Sequence, residues 1–224
     1  KKYSITDSAL ECELLLRSVL GYTKSDFYSH LPDALLEHEA ILIERLIERR
    51  LLGEPTPYIL GFKEFYGIEF YVSEDVLIPR PETELLVDLS IAKFKDGGLI
   101  ADVGTGSGCI AVSIASQLPD LKIIAVDKSI NALQLARKNI MLYDMIGRID
   151  LVNADLLTSF KPGLKFDLIV SNPPYIKRKD FINLDDDIKK FEPKLALDGG
   201  NDGLDVIKKV IYKSKSILKI KGML

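Results

Sequence analysis

Five mostly apolar residues, Leu99-Ile100-Ala101-Asp102-Val103, run straight into Gly104-Thr105-Gly106-Ser107-Gly108, and nothing else in the chain narrows its possible folds as far. Glycine turns an extended run sharply because it has no Cβ to clash at positive φ. The period then changes, and Cys109 to Gln117 reads as a helix. The same alternation returns downstream. Ile123 to Asp127, Ile149 to Val152 and Phe166 to Val170 are short runs rich in β-branched residues, and Ile130 to Tyr143 is helical, with Pro119 and Gly147 as stops. Strand and helix alternating in this way predict an α/β fold, a doubly wound parallel sheet covered on both faces with right-handed crossovers.

The first third of the chain has a different rhythm. Ser8 and Glu11 are spaced as a capping box ahead of a helix from Ala9 to Leu20, and Gly21 stands where a left-handed C-terminal cap belongs. Leu36, Ala40, Ile43, Ile47 and Leu51 recur at helical spacing as one packing stripe, ended by Gly53-Glu54-Pro55. Between Gly61 and Pro79 aromatic and β-branched residues surround Gly67, which predicts a β-hairpin, and a short helix is expected from Pro81 through Leu89. The organisation is therefore a small helical domain over residues 1–60, a hairpin linker over 61–80 and the α/β domain over 81–224. A further strand is expected to begin at Gly222-Met223-Leu224.

Composition removes whole classes of function. No apolar run reaches the roughly 20 residues that cross a bilayer, and the opening is charged at Lys1 and Lys2, so no membrane role and a cytoplasmic location are expected. Thirty Lys and Arg against 33 Asp and Glu give a net charge of -3, a poor footprint for direct nucleic-acid binding. Cys12, Cys109, His30 and His38 form no cluster with metal-ligand spacing. Asp185-Asp186-Asp187 is followed by Lys189 and Lys190, so it reads as a solvated loop and no metal is expected.

Three loops at the ends of the expected strands carry the chemistry. The glycine loop Gly104 to Gly108 opens a helix, where exposed N–H groups suit an anionic or nucleotide-like ligand, although a ligand-free turn uses the same glycines. Asp127 ends the next strand 23 residues after Gly104, close to the roughly 20-residue spacing at which a carboxylate meets ribose hydroxyls, and an acid there also caps the following helix. A dinucleotide site needs glycine where Cys109 stands, and a phosphate loop needs Gly-Lys-Ser/Thr, which is absent. Ser171-Asn172-Pro173-Pro174-Tyr175 follows the fourth strand. Its prolines cannot pair as sheet and stiffen the loop, leaving carbonyls and the Asn172 side chain as acceptors for an -NH2 group on a planar carbon, with Tyr175 able to flank it.

These motifs resemble those of class I methyltransferases, whose Rossmann-like fold binds S-adenosylmethionine. Asn172-Pro173-Pro174-Tyr175 is shared by enzymes acting on exocyclic amines of bases and on glutamine amides. The segments Gly53 to Gly61, Glu64 to Gly67, Leu77 to Glu84 and Glu192 to Leu204 are similar to those of peptide chain release factor glutamine N5-methyltransferases, the HemK/PrmC type, over nearly the whole chain. The resemblance implies a helical substrate-recognition domain, a hairpin and a catalytic domain. Its implied reaction is methyl transfer from S-adenosylmethionine to the glutamine of the Gly-Gly-Gln motif of a release factor, giving S-adenosylhomocysteine. By position, Gly104, Thr105, Gly106, Ser107, Gly108, Asp127, Asp155, Leu156 and Asn172 would hold the cofactor. Asn172, Pro173, Pro174 and Tyr175 would hold the glutamine, with Asn172, Pro173 and Tyr175 as the catalytic set. The family's sheet has two strands beyond the one begun at Gly222, and these are expected to be missing here. Arg80, Glu82 and Thr83 lie in a segment that would lean over the cofactor. The alternatives are adenine N6 or guanine N2 in nucleic acid, glutamine in a ribosomal protein, and cofactor binding without turnover.

Overall fold

Two units share the chain in the computed structural model, which describes residues 7–94, 97–161 and 163–224, so the charged opening at Lys1 and Lys2 lies outside the described residues. Of the described residues, those up to 61 together with 185–191 form one unit, and those of 62–184 and 192–224 form the other.

The first unit is helical: α1 Ser8–Leu20, α2 Lys24–Ser29, α3 Glu37–Leu51 and α4 Thr56–Leu60, joined by α8, Asp186–Phe191. Asp7, rather than Ser8, caps α1, its carboxylate accepting from Leu10 N at 3.3 Å, and Glu11 pairs instead with Arg50. Either residue type caps well, and the helix begins one position earlier than the capping-box spacing suggests. Gly21 takes the left-handed conformation at φ 67. Of the stripe on α3, Ile43 is buried while Leu36 and Leu51 at its ends are exposed, so packing covers only its centre. Asp185 stays in the connecting loop, but Asp186 and Asp187 do not: they open α8, and Lys189 and Lys190 close it, charges matched to the helix dipole.

The second unit opens with a hairpin. Strands β1 Phe62–Phe65 and β2 Ile68–Tyr71 pair antiparallel, and Tyr66 (φ 53) with Gly67 (φ 75) makes the two-residue left-handed turn whose twist suits a hairpin. Phe65 and Phe70, both buried, meet edge to face at 6.2 Å and anchor the hairpin in the main core. A 3-10 turn at Pro81–Thr83 leads into α5, Glu84–Lys93.

The sheet is β3 Leu99–Val103, β4 Lys122–Asp127, β5 Ile149–Asn153, β6 Phe166–Ser171 and β7 Leu218–Met223, in the parallel order β5-β4-β3-β6-β7. Strand β7 begins at Leu218, four residues before the expected start at Gly222, and is irregular against β6. Period-two alternation sends Ile100 to one face, with Val87 of α5, Ile110 and Ile114 of α6 (Cys109–Gln117) and Ile140 of α7 (Ile130–Leu142). Ala101 and Val103 go to the other, against Val210 of α10, Asp205–Ser214. Strand order reverses around β3, so the loops leaving β3, β4 and β6 converge at the carboxyl edge, where doubly wound sheets hold ligands.

Candidate active site

Each wall of the cavity begins as the end of a strand. After β3, Gly104 N and Thr105 N both donate to Val126 O of β4, at 2.8 and 3.0 Å, pinning the glycine loop across the neighbouring strand. Gly104 and Gly106 have positive φ and open space where a Cβ would stand, whereas a Cβ on Gly108 would lie 3.3 Å from that of Ala136. The first two glycines thus leave room for a ligand, and the third permits α6 and α7 to approach.

Asp127 at the end of β4 accepts from Gly106 N through one oxygen and from Ser129 N through the other, both at 2.9 Å. It therefore ties the β3 loop to the start of α7 while each oxygen keeps a lone pair. Asn139 of α7, fully buried, braces the same loop from behind. Its amide donates to Ser107 O at 2.8 Å and Tyr71 O at 3.1 Å and accepts from Tyr71 N at 2.8 Å. Nothing local in the sequence marks Asn139, since both partners are far along the chain.

Asp102, fully buried behind the glycine loop, accepts from the Thr105 hydroxyl at 2.6 Å. Burial pushes its pKa up to about 7, with the nearby Asp127 charge adding to the rise and the Thr105 bond opposing it. Because the folded pKa lies above the ordinary 3.8, the stability tied to the protonated acid is complete below about pH 4 and is lost as pH rises through 7. Asp102→Asn should remove that slope. Between pH 5 and 8 the parent is expected to lose about 3 kcal/mol more than the variant in urea unfolding, and parallel pH profiles would contradict a raised pKa. Cys109 is buried beside it, its thiol pushed up to about 12 by desolvation, so it is no nucleophile.

After β5, Ala154 N bonds Asp127 O at 3.0 Å, and Asp155, exposed, stands 3.6 Å from Lys128 Nζ. Leu156 has φ 56, an unusual conformation for a branched side chain and the kind of local strain that gathers at ligand sites. After β6, Ser171 Oγ donates to Val103 O at 2.7 Å, and Asn172 Nδ2 donates to Thr83 Oγ1 at 3.1 Å.

These loops enclose a cavity of about 710 Å³. Gly104, Thr105, Gly106 and Ser107 form one side, Asp127, Asp155 and Leu156 another, and Asn172 and Pro174 a third. Gly108, Pro173 and Tyr175 do not line it; Gly108 packs on α7, and Tyr175 stands 65% exposed. The cavity also takes in residues outside the expected site set: Asp75 and Val76 after the hairpin, Lys194 to Ala196, and Asp205, Val206 and Lys209 of α10. Arg80 and Thr83 line it as well. Among the described residues no group of three or more His, Cys, Asp and Glu is gathered as a metal would need.

Known proteins resemble this chain along most of its length. Residues 1–61 match the PrmC N-terminal domain and residues 81–189 the Methyltransferase small domain. A Release factor glutamine methyltransferase from Geobacter sulfurreducens is 37% identical over 98% of this chain and 76% of its own length. One from Koribacter versatilis is 41% identical over 90% and 72%. Among solved structures, the hMettl16 catalytic domain in complex with the MAT2A 3'UTR hairpin 6 shares the fold, with a TM-score of 0.51 at 18% identity over 71% of this chain and 62% of that one.

Proposed function

Because the chain belongs to the release factor glutamine methyltransferase family, we propose that its cavity holds the glutamine of a release factor's Gly-Gly-Gln motif against S-adenosylmethionine, with the roles of individual residues as follows. The protein is an S-adenosylmethionine-dependent methyltransferase of protein glutamine N5. When bound, the cofactor supplies a methyl group activated by a sulfonium centre.

The residues present fit such a cofactor. Gly104 and Gly106 leave open the space that a Cβ would fill, and Asp127 keeps a lone pair on each oxygen for a pair of ribose hydroxyls. Thr105, Ser107, Asp155 and Leu156 complete that side of the cavity. There is no acidic or basic side chain on the Asn172 loop between Ser171 and Tyr175, and the proposed chemistry needs none. An amide nitrogen is a poor nucleophile because its lone pair is delocalised into the carbonyl. Asn172 Oδ1 and the Pro173 carbonyl accept its two N–H groups, orient the lone pair and stabilise the positive charge that grows on nitrogen as the new bond forms, before a proton leaves for solvent. Pro174 stiffens the loop, and the Tyr175 ring, which stands outside the cavity and mostly exposed, would turn inward to flank the flat amide.

The observation that carries the reading is the position of Asn172. It lies on the wall of the cavity that also contains the glycine loop and Asp127, with its amide nitrogen already engaged and its oxygen available. Residues 1–60 serve in this reading as the part that grips the release factor away from the reacting glutamine, because one side chain offers too little surface for selectivity. Direct nucleic-acid binding is not part of it, in keeping with the net charge of -3. No described helix is long and apolar enough to cross a membrane, and we assign the protein to the cytoplasm, where release factors work.

The test is peptide mass spectrometry of a release factor incubated with the protein and S-adenosylmethionine, beside a factor whose Gly-Gly-Gln glutamine is replaced by alanine. One methyl confined to the parent Gly-Gly-Gln peptide is expected. Methyl on both factors, or on neither, would refute the substrate assignment.

A further inference from the structure

The segment Arg80 to Glu84 has no part in the chemistry described so far, yet three of its side chains are engaged. Arg80 Nη2 meets Glu192 Oε1 at 2.6 Å, and the Glu192 side chain is only 2% exposed. Glu84 Oε1 accepts from Tyr66 N in the hairpin turn at 2.8 Å. Between these anchors Thr83, itself buried, closes the 3-10 turn through its N–H to Arg80 O at 3.0 Å and presents its hydroxyl to Asn172 Nδ2. Residues 89 positions apart thus share one hydrogen bond at the edge of the cavity.

Resting on the role given to Asn172 above, we propose that Thr83 is a positioning residue, whose hydroxyl holds the Asn172 amide with its oxygen toward the substrate nitrogen. The physical need is specific. Asn172 carries an acceptor and a donor on one rotatable plane, and only the acceptor can receive an N–H from a substrate amide. Turned over, the plane would set -NH2 against -NH2. With Nδ2 engaged by Thr83 Oγ1, Oδ1 accepts no hydrogen bond from any described residue and is the end left for a ligand. The paired anchors matter because a hydroxyl on a loose loop would follow the Asn172 plane rather than restrain it.

The experiment uses the full chain and three proteins: parent, Thr83→Val, which keeps the shape and removes the hydroxyl, and Thr83→Ser, which keeps the hydroxyl. Three quantities are read: kcat and KM for a release factor, the dissociation constant of S-adenosylhomocysteine by calorimetry, and the Asn172 side-chain amide signals in a ¹H–¹⁵N spectrum, assigned by their loss in Asn172→Ala. Thr83→Val is expected to lower kcat roughly tenfold, the effect of one ordinary hydrogen bond, with KM and the dissociation constant within about twofold of the parent. Thr83→Ser should recover most of kcat, and the Asn172 signals should shift in the valine variant alone. Unchanged kcat in Thr83→Val, a serine variant as slow as the valine one, or unmoved Asn172 signals would overturn the proposal. If the parent itself transfers no methyl, the substrate reading fails, and the amide signals still decide whether Thr83 restrains Asn172.

Discussion

Replacing Asn172 by alanine is expected to lower kcat by about 10²–10³, the usual cost of deleting one preorganised group aimed at developing charge. Cofactor affinity should change by no more than a few-fold, because the glycine loop and Asp127 are held by bonds of their own, from Gly104 and Thr105 to Val126 and from Gly106 and Ser129 to Asp127. The fold should also survive. Asn172 is only partly buried and lies beyond β6, so its side chain supports no strand pairing. Asn172→Asp sharpens the test: it retains an acceptor oxygen but loses the donor to Thr83 and adds a negative charge. If geometry rather than charge governs the step, the aspartate variant should be impaired nearly as much as alanine. The measurement is single-turnover methyl transfer to the Gly-Gly-Gln peptide alongside calorimetric binding of S-adenosylhomocysteine. An alanine variant within threefold of the parent would remove Asn172 from the chemistry.

The features legible in the sequence are those whose cause is local. Helix α6 spans Cys109–Gln117 as its period implies, a mostly apolar stretch opened by Gly108 and interrupted only by Ser113 before Ser116 and Gln117. Strands β3 to β6 are legible for the same reason, being short, β-branched and bounded by turn residues. Helices α2 and α4, of six and five residues, are too short to display a period. Helix α8 carries a signal in its charges, acids first and lysines last, but the same charges suit a solvated loop equally well. Within the site, the glycine loop, Asp127 and Asn172 announce themselves by their spacing from strand ends. The residues that hold them do not. Asn139 reaches Tyr71 across 68 positions, Thr83 reaches Asn172 across 89, and Arg80 reaches Glu192 across 112. Side chains with such distant partners carry no periodic mark, and only the folded topology brings them together.

That topology leaves the Asn172 loop dependent on a second segment, which is why Gly199→Ala, although it removes nothing, should cost roughly 10²-fold in kcat. The segment after α9 (Lys194–Leu197) runs alongside the chain leaving Tyr175: Ile176 N bonds Leu197 O at 3.0 Å, Gly199 N bonds Ile176 O at 2.9 Å and Arg178 N bonds Gly200 O at 3.0 Å. Asp198 closes the arrangement, its carboxylate held below the usual range first by the Gly200 N–H and then by Arg178. A Cβ at position 199 would lie 2.6 Å from Tyr175 Cα and 2.7 Å from Gly203 O, both backbone atoms that no side-chain rotation can clear. Reaching ordinary contact distance requires the two segments to part by about 1 Å, and a displacement of that size beside the reacting group costs about 10² in rate. Gly147→Ala is the control. Gly147 has φ 79 with open space around its Cβ position and takes no part in the cavity, so alanine there should cost about 1 kcal/mol of stability and leave kcat unchanged. If both variants lose stability but only Gly199→Ala loses turnover, with S-adenosylhomocysteine bound normally, the second segment sets the geometry of the Asn172 loop. Equal turnover in the two would mean that the loop keeps its shape without that support.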